Sequence, residues 1–125
     1  MAIEKTNVID GMIPEDNGKC LKMVIYDYFE WSEINATEHL IMLRDKLNSY
    51  ATYWEEREFE NISKYNGFDF DYAVIEYHTL HAPSEKAIAF LSYAQKQLRE
   101  ANILIGSIFV GDADNAVRYD LVSEE

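Results

Sequence analysis

The sequence predicts an α+β fold, a two-layer sandwich in which an antiparallel or mixed sheet carries two helices on one face. Three observations predict it. Two segments, Leu40 to Trp54 and Ala87 to Ala101, repeat apolar residues at three- and four-residue spacing, as an amphipathic helix does. Four short runs rich in β-branched and aromatic residues flank them and read as strands. The resulting order, ββαβαβ with a further short strand at the C-terminus, buries both apolar stripes if one sheet receives them.

The elements follow in chain order. Thr6 to Ile13 alternates loosely and runs into Pro14-Glu15-Asp16-Asn17-Gly18, a dense turn signal. Lys19 to Phe29 reads as the second strand of an antiparallel hairpin, with Leu21, Met23 and Ile25 opposite Cys20, Val24 and Tyr26. Asn35, followed three residues later by Glu38, matches a capping box at a helix start. Leu40, Leu43, Leu47, Tyr50 and Trp54 form the apolar stripe of that helix; Arg44, Asp45, Lys46 and Asn48 are expected on its polar side.

Asn66-Gly67 marks a turn, and Phe68 to His78 a long strand whose Asp69 and Asp71 give its first half a wet side. Pro83 fits the first turn of the second helix, with a stripe of Ala87, Phe90, Leu91, Ala94, Leu98 and Ala101 and a stop at Asn102. Ile103 to Val110 is a buried strand by length and composition. Val117, Tyr119 and Leu121 alternate with polar residues as a final short strand would. A single domain, 1–125, is expected from the length of 125 residues, with 111–125 an acidic C-terminal segment expected to be partly ordered.

Composition narrows the function classes. Twenty-three acidic residues against eleven basic ones give a net charge of −12. Nucleic acid and anionic membranes are bound through Lys and Arg, so neither is expected as a partner. A basic protein partner suits the charge; solubility alone is the competing explanation. The single cysteine, Cys20, excludes an intramolecular disulfide and reads as a small core residue. No run of about 18 apolar residues or secretory signal pattern is present, and a cytoplasmic protein is expected.

One stretch carries a resemblance. Ile25-Tyr26-Asp27-Tyr28-Phe29-Glu30-Trp31-Ser32, then Glu38-His39-Leu40, Leu43, Lys46-Leu47-Asn48 and Tyr50, resembles a family of small bacterial proteins classed as a domain of unknown function. Ile9-Asp10 in the first strand, Phe90-Leu91 and the Ala101-Asn102-Ile103 exit extend the similarity over residues 7 to 110. The resemblance implies the fold and a bacterial cytoplasmic setting, and it implies no reaction.

Candidate chemistry is sparse. Glu76, His78 and His81 have the composition of a metal site, and a small-ligand or metal-dependent enzyme could be built on them. Their place where a strand leaves for a helix favours a polar loop instead. Glu38 and His39 are adjacent and point about 100° apart on a helix, so a cap and a packed ring are expected rather than a base and its orienter. Asp112-Ala113-Asp114-Asn115 starts like a calcium loop but lacks the required Gly and Glu. No phosphate-binding loop or nucleophile elbow is present. No catalytic residue, cofactor or metal is expected.

The carboxylates are clustered. Asp27, Glu30 and Glu33 surround Trp31, and Glu55, Glu56, Glu58, Glu60, Asp69 and Asp71 follow among further aromatics. Acids steer a cationic partner and amphipathic aromatics anchor it. The sequence therefore suggests a non-enzymatic acidic protein-binding domain using these residues, most concretely an immunity protein neutralising a cationic, nuclease-like toxin. A homo-oligomeric module joined through sheet edges is the other non-enzymatic reading. The competing view of the acids is a solvated face over an aromatic core.

Overall fold

The computed structural model describes residues 6, 8–31, 36–62, 65, 67–111 and 116–120. The domain is α+β, with a five-stranded mixed sheet and two helices. Its strands are β1 (Gly11–Glu15), β2 (Cys20–Asp27), β3 (Tyr72–Thr79), β4 (Ile103–Val110) and β5 (Val117–Asp120). Helix α1 (Ala36–Glu55) joins β2 to β3, and α2 (Glu85–Leu98) joins β3 to β4. The strands lie side by side in sequence order. β2, β3 and β4 are parallel, and β1 and β5 run antiparallel at the two edges. A helix between each parallel pair is what such a connection requires.

The hairpin turns later than its residues suggest. Pro14 is inside β1, paired with Leu21, and the turn is Asp16–Gly18. Proline donates no ladder hydrogen bond, which an edge strand tolerates. Gly18 has a φ of +82°, and a Cβ there would lie 3.1 Å from the Phe68 ring. β3 begins at Tyr72 rather than Phe68 because Phe68 and Phe70 leave the ladder and stack on each other, ring centroids 5.2 Å apart.

Strand alternation separates two faces. Leu21, Met23 and Ile25 of β2 and Ala73, Ile75 and Tyr77 of β3 are buried in one cluster with Leu43, Leu47, Tyr50 and Trp54 of α1 and Leu91 and Ala94 of α2. Their neighbours Lys22, Tyr26, Val74, Glu76 and His78 are only half-buried. In β4 the register with β3 slips by one residue between Ile75 and Tyr77, so Ile108 still faces inward and Phe109 outward. Gly106 sits at this irregularity, where a Cβ would come within 2.8 Å of Val74 Cγ1.

The helices largely match their stripes, with one reversal. Lys46, expected on the polar side of α1, is wholly buried, as is His39, whereas Leu40 is half-buried. α2 starts one residue after Ser84, whose Oγ accepts a hydrogen bond from the Ala87 N–H at 3.1 Å; Pro83 precedes this cap. Asn102, left-handed at φ 62°, ends the helical region and returns its carbonyl to the Ala73 N–H. Trp54 belongs to the core, its Nε1–H donating to the Ala101 carbonyl at 2.7 Å. Among the described residues no helix is long and apolar enough to cross a membrane.

Candidate functional site

The predicted partner-binding residues fall into two groups that the fold separates. β2 runs eight residues from Cys20 to Asp27, about 26 Å at ~3.3 Å per residue. Asp27, Glu30 and Trp31 lie at its C-terminal end, where α1 begins. Glu55, Glu56, Glu58, Glu60, Asp69 and Asp71 lie at the other end, where α1 finishes and β3 starts. Glu33, like Asn35 and the Asp112–Asn115 segment, lies outside the described residues.

At the first end Asp27 is not a surface residue. Its side chain is fully buried and is met by three donors: the His39 Nε2–H at 2.5 Å, the Phe29 N–H at 3.1 Å and the Tyr77 hydroxyl. The second His39 ring nitrogen, Nδ1, donates to the Glu30 carbonyl at 3.2 Å. Both ring nitrogens are thereby engaged. Trp31, half-buried, stacks flat over that ring with centroids 3.4 Å apart. Burial, with Asp27 beside it, pushes the Tyr77 phenol far above its ordinary range. Both nitrogens of His39 are occupied and the ring is enclosed, so the cluster fastens the segment after β2 onto α1 and offers no free base.

A second polar cluster lies further along the same face of α1. Lys46 Nζ donates to Asp10 Oδ1 and to the Val8 carbonyl, both at 2.7 Å, and neither charged side chain is exposed. The other Asp10 oxygen accepts from the Tyr26 N–H at 2.9 Å. The Tyr50 hydroxyl accepts from the Asp10 N–H and donates to the Val24 carbonyl. Burial raises the Tyr50 phenol strongly. His39, Lys46 and Tyr50 share one stripe with Leu43 and Leu47, so α1 presents polar ties as well as apolar contacts to the sheet.

At the opposite end the acids converge. Glu55 and Glu56 close α1, and Glu58 and Glu60 ride a short 3-10 turn whose Phe59 is anchored in the core against Trp54 and Phe70. Arg57 reaches Glu60 at 3.3 Å and Asp69 at 3.8 Å, which draws the segment before β3 onto this turn. The Asp71 N–H donates to the Lys19 carbonyl at 2.7 Å, and the Tyr72 hydroxyl donates to Asp16 at 2.8 Å. The hairpin turn thereby joins the same end. Asp16, Glu55, Glu56, Glu58, Glu60, Asp69 and Asp71 are all exposed there. The Asp16 carboxylate holds the Tyr72 phenol up to about 12, and burial together with Glu58 raises Tyr53. Beside Glu58 a groove of about 550 Å³ runs between Ile9 and Met12 on one wall and Thr52 and Tyr53 on the other.

Sequence reasoning missed Asp16 as part of this end. Its signal is the parallel register that pairs Cys20 with Tyr72, which no local pattern carries. The metal candidates do not assemble. His78 Nε2 lies 3.2 Å from Glu76 Oε1, but its ring stacks on Phe109, and His81 is exposed and tied through its backbone to Thr79 Oγ1. Among the described residues no three His, Cys, Asp or Glu side chains form a group that could hold a metal ion.

No curated protein and no solved structure matches the chain. A family model does match, over residues 1–109, which include both polar clusters and the acidic end. The chain belongs to the Family of unknown function (DUF6572).

Proposed function

We propose that this protein is a non-enzymatic binding domain that captures a basic protein partner through the carboxylate-rich end formed by the Asp16 turn, the Glu55–Glu60 segment and Asp69–Asp71. The supporting observation is the convergence of three chain segments, each acidic, on one end around Arg57. Like charges gathered this way repel one another, and a cationic partner relieves the repulsion while gaining association rate. The groove beside Glu58, lined by Ile9, Met12 and Tyr53, gives an apolar side chain of the partner a place next to the charge. Interfaces take most of their energy from such anchored contacts.

The architecture we infer for this role is a two-layer sandwich. The two crossovers, β2–α1–β3 and β3–α2–β4, step in the same direction across the sheet, and right-handed connections put both helices on one face. The acidic end is then a rim where helix layer and sheet meet, held rigid from within by Phe59 and Trp54.

The most concrete version is a bacterial immunity protein that covers the basic site of a nuclease-like toxin. A nuclease presents Lys and Arg to phosphate, and a rigid set of carboxylates imitates that ligand. By this reading the Asp27, Glu30 and Trp31 end is scaffold, although Glu30 and, in the first turns of α1 and α2, Glu38 and Glu85 are exposed there. The test is affinity capture from the native strain with the wild-type chain and with a Glu56→Lys, Glu58→Lys, Glu60→Lys variant. A basic protein that is retained by the wild type, released by salt and lost with the variant supports the proposal. Capture that survives both salt and charge reversal refutes it.

A further inference from the structure

We propose that two copies of this chain dock face to face through the sheet surface bearing Tyr26, Val74, His78, Leu104 and Phe109. The observation is a band of rings and aliphatic side chains on the strand faces that point away from the buried cluster. Tyr26, His78 and Phe109 are direct register partners on three adjacent parallel strands. Their rings lie side by side, with centroids 5.6 Å and 4.6 Å apart, and Tyr28 continues the row at 6.2 Å. Two registers along, Val74 pairs with Leu104, and Ile13 of β1 lies beyond on the same face opposite Lys22. Leu104 and Ile13 are 40% and 50% exposed. Parallel strands seldom leave one face to solvent, because their residues gain stability mainly by burial on both sides.

The occupant follows from charge and area. A second copy carries the same net charge of −12, so it can approach only where that charge is not presented. This face meets the condition. On β1 to β4 its carboxylates, Glu15 and Glu76, are both held by Lys22, at 3.2 Å and 3.6 Å, and Glu76 also contacts His78; on β5, Asp120 has a register position on this face together with the basic Arg118. The cation of this trio is itself raised in pKa by the two carboxylates, which outweigh the opposing effect of burial. A basic partner has far more to gain at the Glu55–Asp71 end. Three strands of eight residues and edge strands of five and four, at ~3.3 Å per residue and ~4.8 Å spacing, give roughly 520 Å² per copy, or about 1,050 Å² in total, just above the ~1,000 Å² a specific interface needs and in keeping with a reversible dimer.

The sheet edges are the poorer route to self-association. Pro14 removes a donor from the β1 edge, and β5 has only four residues. Face-to-face sheets settle about 10 Å apart with strands about 30° off alignment, and the ring row then interdigitates with its symmetry mate.

Sedimentation equilibrium of the full chain over a range of concentrations tests the proposal, in low and in high salt. The expected result is a reversible dimer that strengthens with salt, because screening removes the repulsion between like-charged copies. Leu104→Lys puts a charge in the docked face and is expected to weaken the dimer at least tenfold, about the cost of burying one unpaired polar group. Leu104 is already exposed, so circular dichroism of the variant should remain native. Glu56→Lys should leave the dimer intact. A monomer at every concentration overturns the proposal, as does a dimer that a natively folded Leu104→Lys variant forms as readily as the wild type. A monomer whose face takes up an apolar dye assigns that face to a different occupant and equally overturns it. The opposite signs of the salt effect, and the separate variants, keep this test independent of the basic-partner reading.

Discussion

Lys46 and Asp10 form a charged pair 36 residues apart in the chain, with Nζ 2.7 Å from Oδ1 and neither side chain exposed. It ties the middle of α1 to the segment entering β1. Lys46 Nζ also donates to the Val8 carbonyl, and the second Asp10 oxygen accepts from the Tyr26 amide. A buried pair with complete partners contributes modestly, whereas half of one is costly.

Lys46→Met should therefore destabilise the domain by about 3–5 kcal/mol, since it strands a buried carboxylate. Asp10→Asn added to it removes that charge while an amide oxygen can still accept from Tyr26. The double variant should recover part of the loss in urea unfolding. Strict additivity of the two single effects would show that the groups do not act as a pair.

His39 gives a parallel expectation at the end of β2. His39→Leu leaves Asp27 buried with two of its three donors and should cost about 3 kcal/mol. His39→Gln, which keeps a donor near Nε2, should cost less. Equal losses in thermal unfolding would mean that ring packing against Trp31, rather than the hydrogen bond to Asp27, fastens this corner.

The sequence announced some of this and concealed the rest, for physical reasons. β4 and α2 were legible because a short β-branched run and a capped 3.6-residue stripe are local signals. Lys46 was not: a lysine at a stripe position is ordinarily solvated, and its acid partner is too distant in sequence to suggest otherwise. The same holds for Asp27, whose place among other acids reads as surface until His39 and Tyr77 are brought to it. Phe68 and Phe70 alternate as a strand would, yet each finds more contact by stacking than by extending β3. Asp16 joins Asp69 and Asp71 only through the β2–β3 register, so the acidic end was legible in its parts but not as a unit.

Alkaline pH offers a separate check. Tyr50 and Tyr77 have phenols raised by burial, so the folded state holds the proton that the unfolded chain releases near pH 10. Their contribution is intact below that pH and is lost as pH rises above it. Stability should fall from about pH 10 upward, and the fall should be shallower in Tyr77→Phe, although that variant is less stable at neutral pH for want of a donor to Asp27. An unchanged slope in Tyr77→Phe would contradict the assignment.

Gly106 predicts a packing effect. In Gly106→Ala the new Cβ meets Val74 Cγ1 at 2.8 Å, a contact a short branched side chain cannot easily leave. A loss of about 1–3 kcal/mol is expected, with recovery when Val74→Ala opens the space. Urea midpoints of the two variants decide it.

The claim on which the functional reading depends is that the negative field of this protein is concentrated at the Asp16, Glu55–Glu60 and Asp69–Asp71 end. Paramagnetic relaxation of backbone amides by a cationic nitroxide, compared with its anionic analogue, measures that field residue by residue. The largest cation preference is expected at residues 55–60 and 69–71, and its loss in the Glu56→Lys, Glu58→Lys, Glu60→Lys variant. A preference spread evenly over α2, the strand faces and the acidic end alike would contradict it.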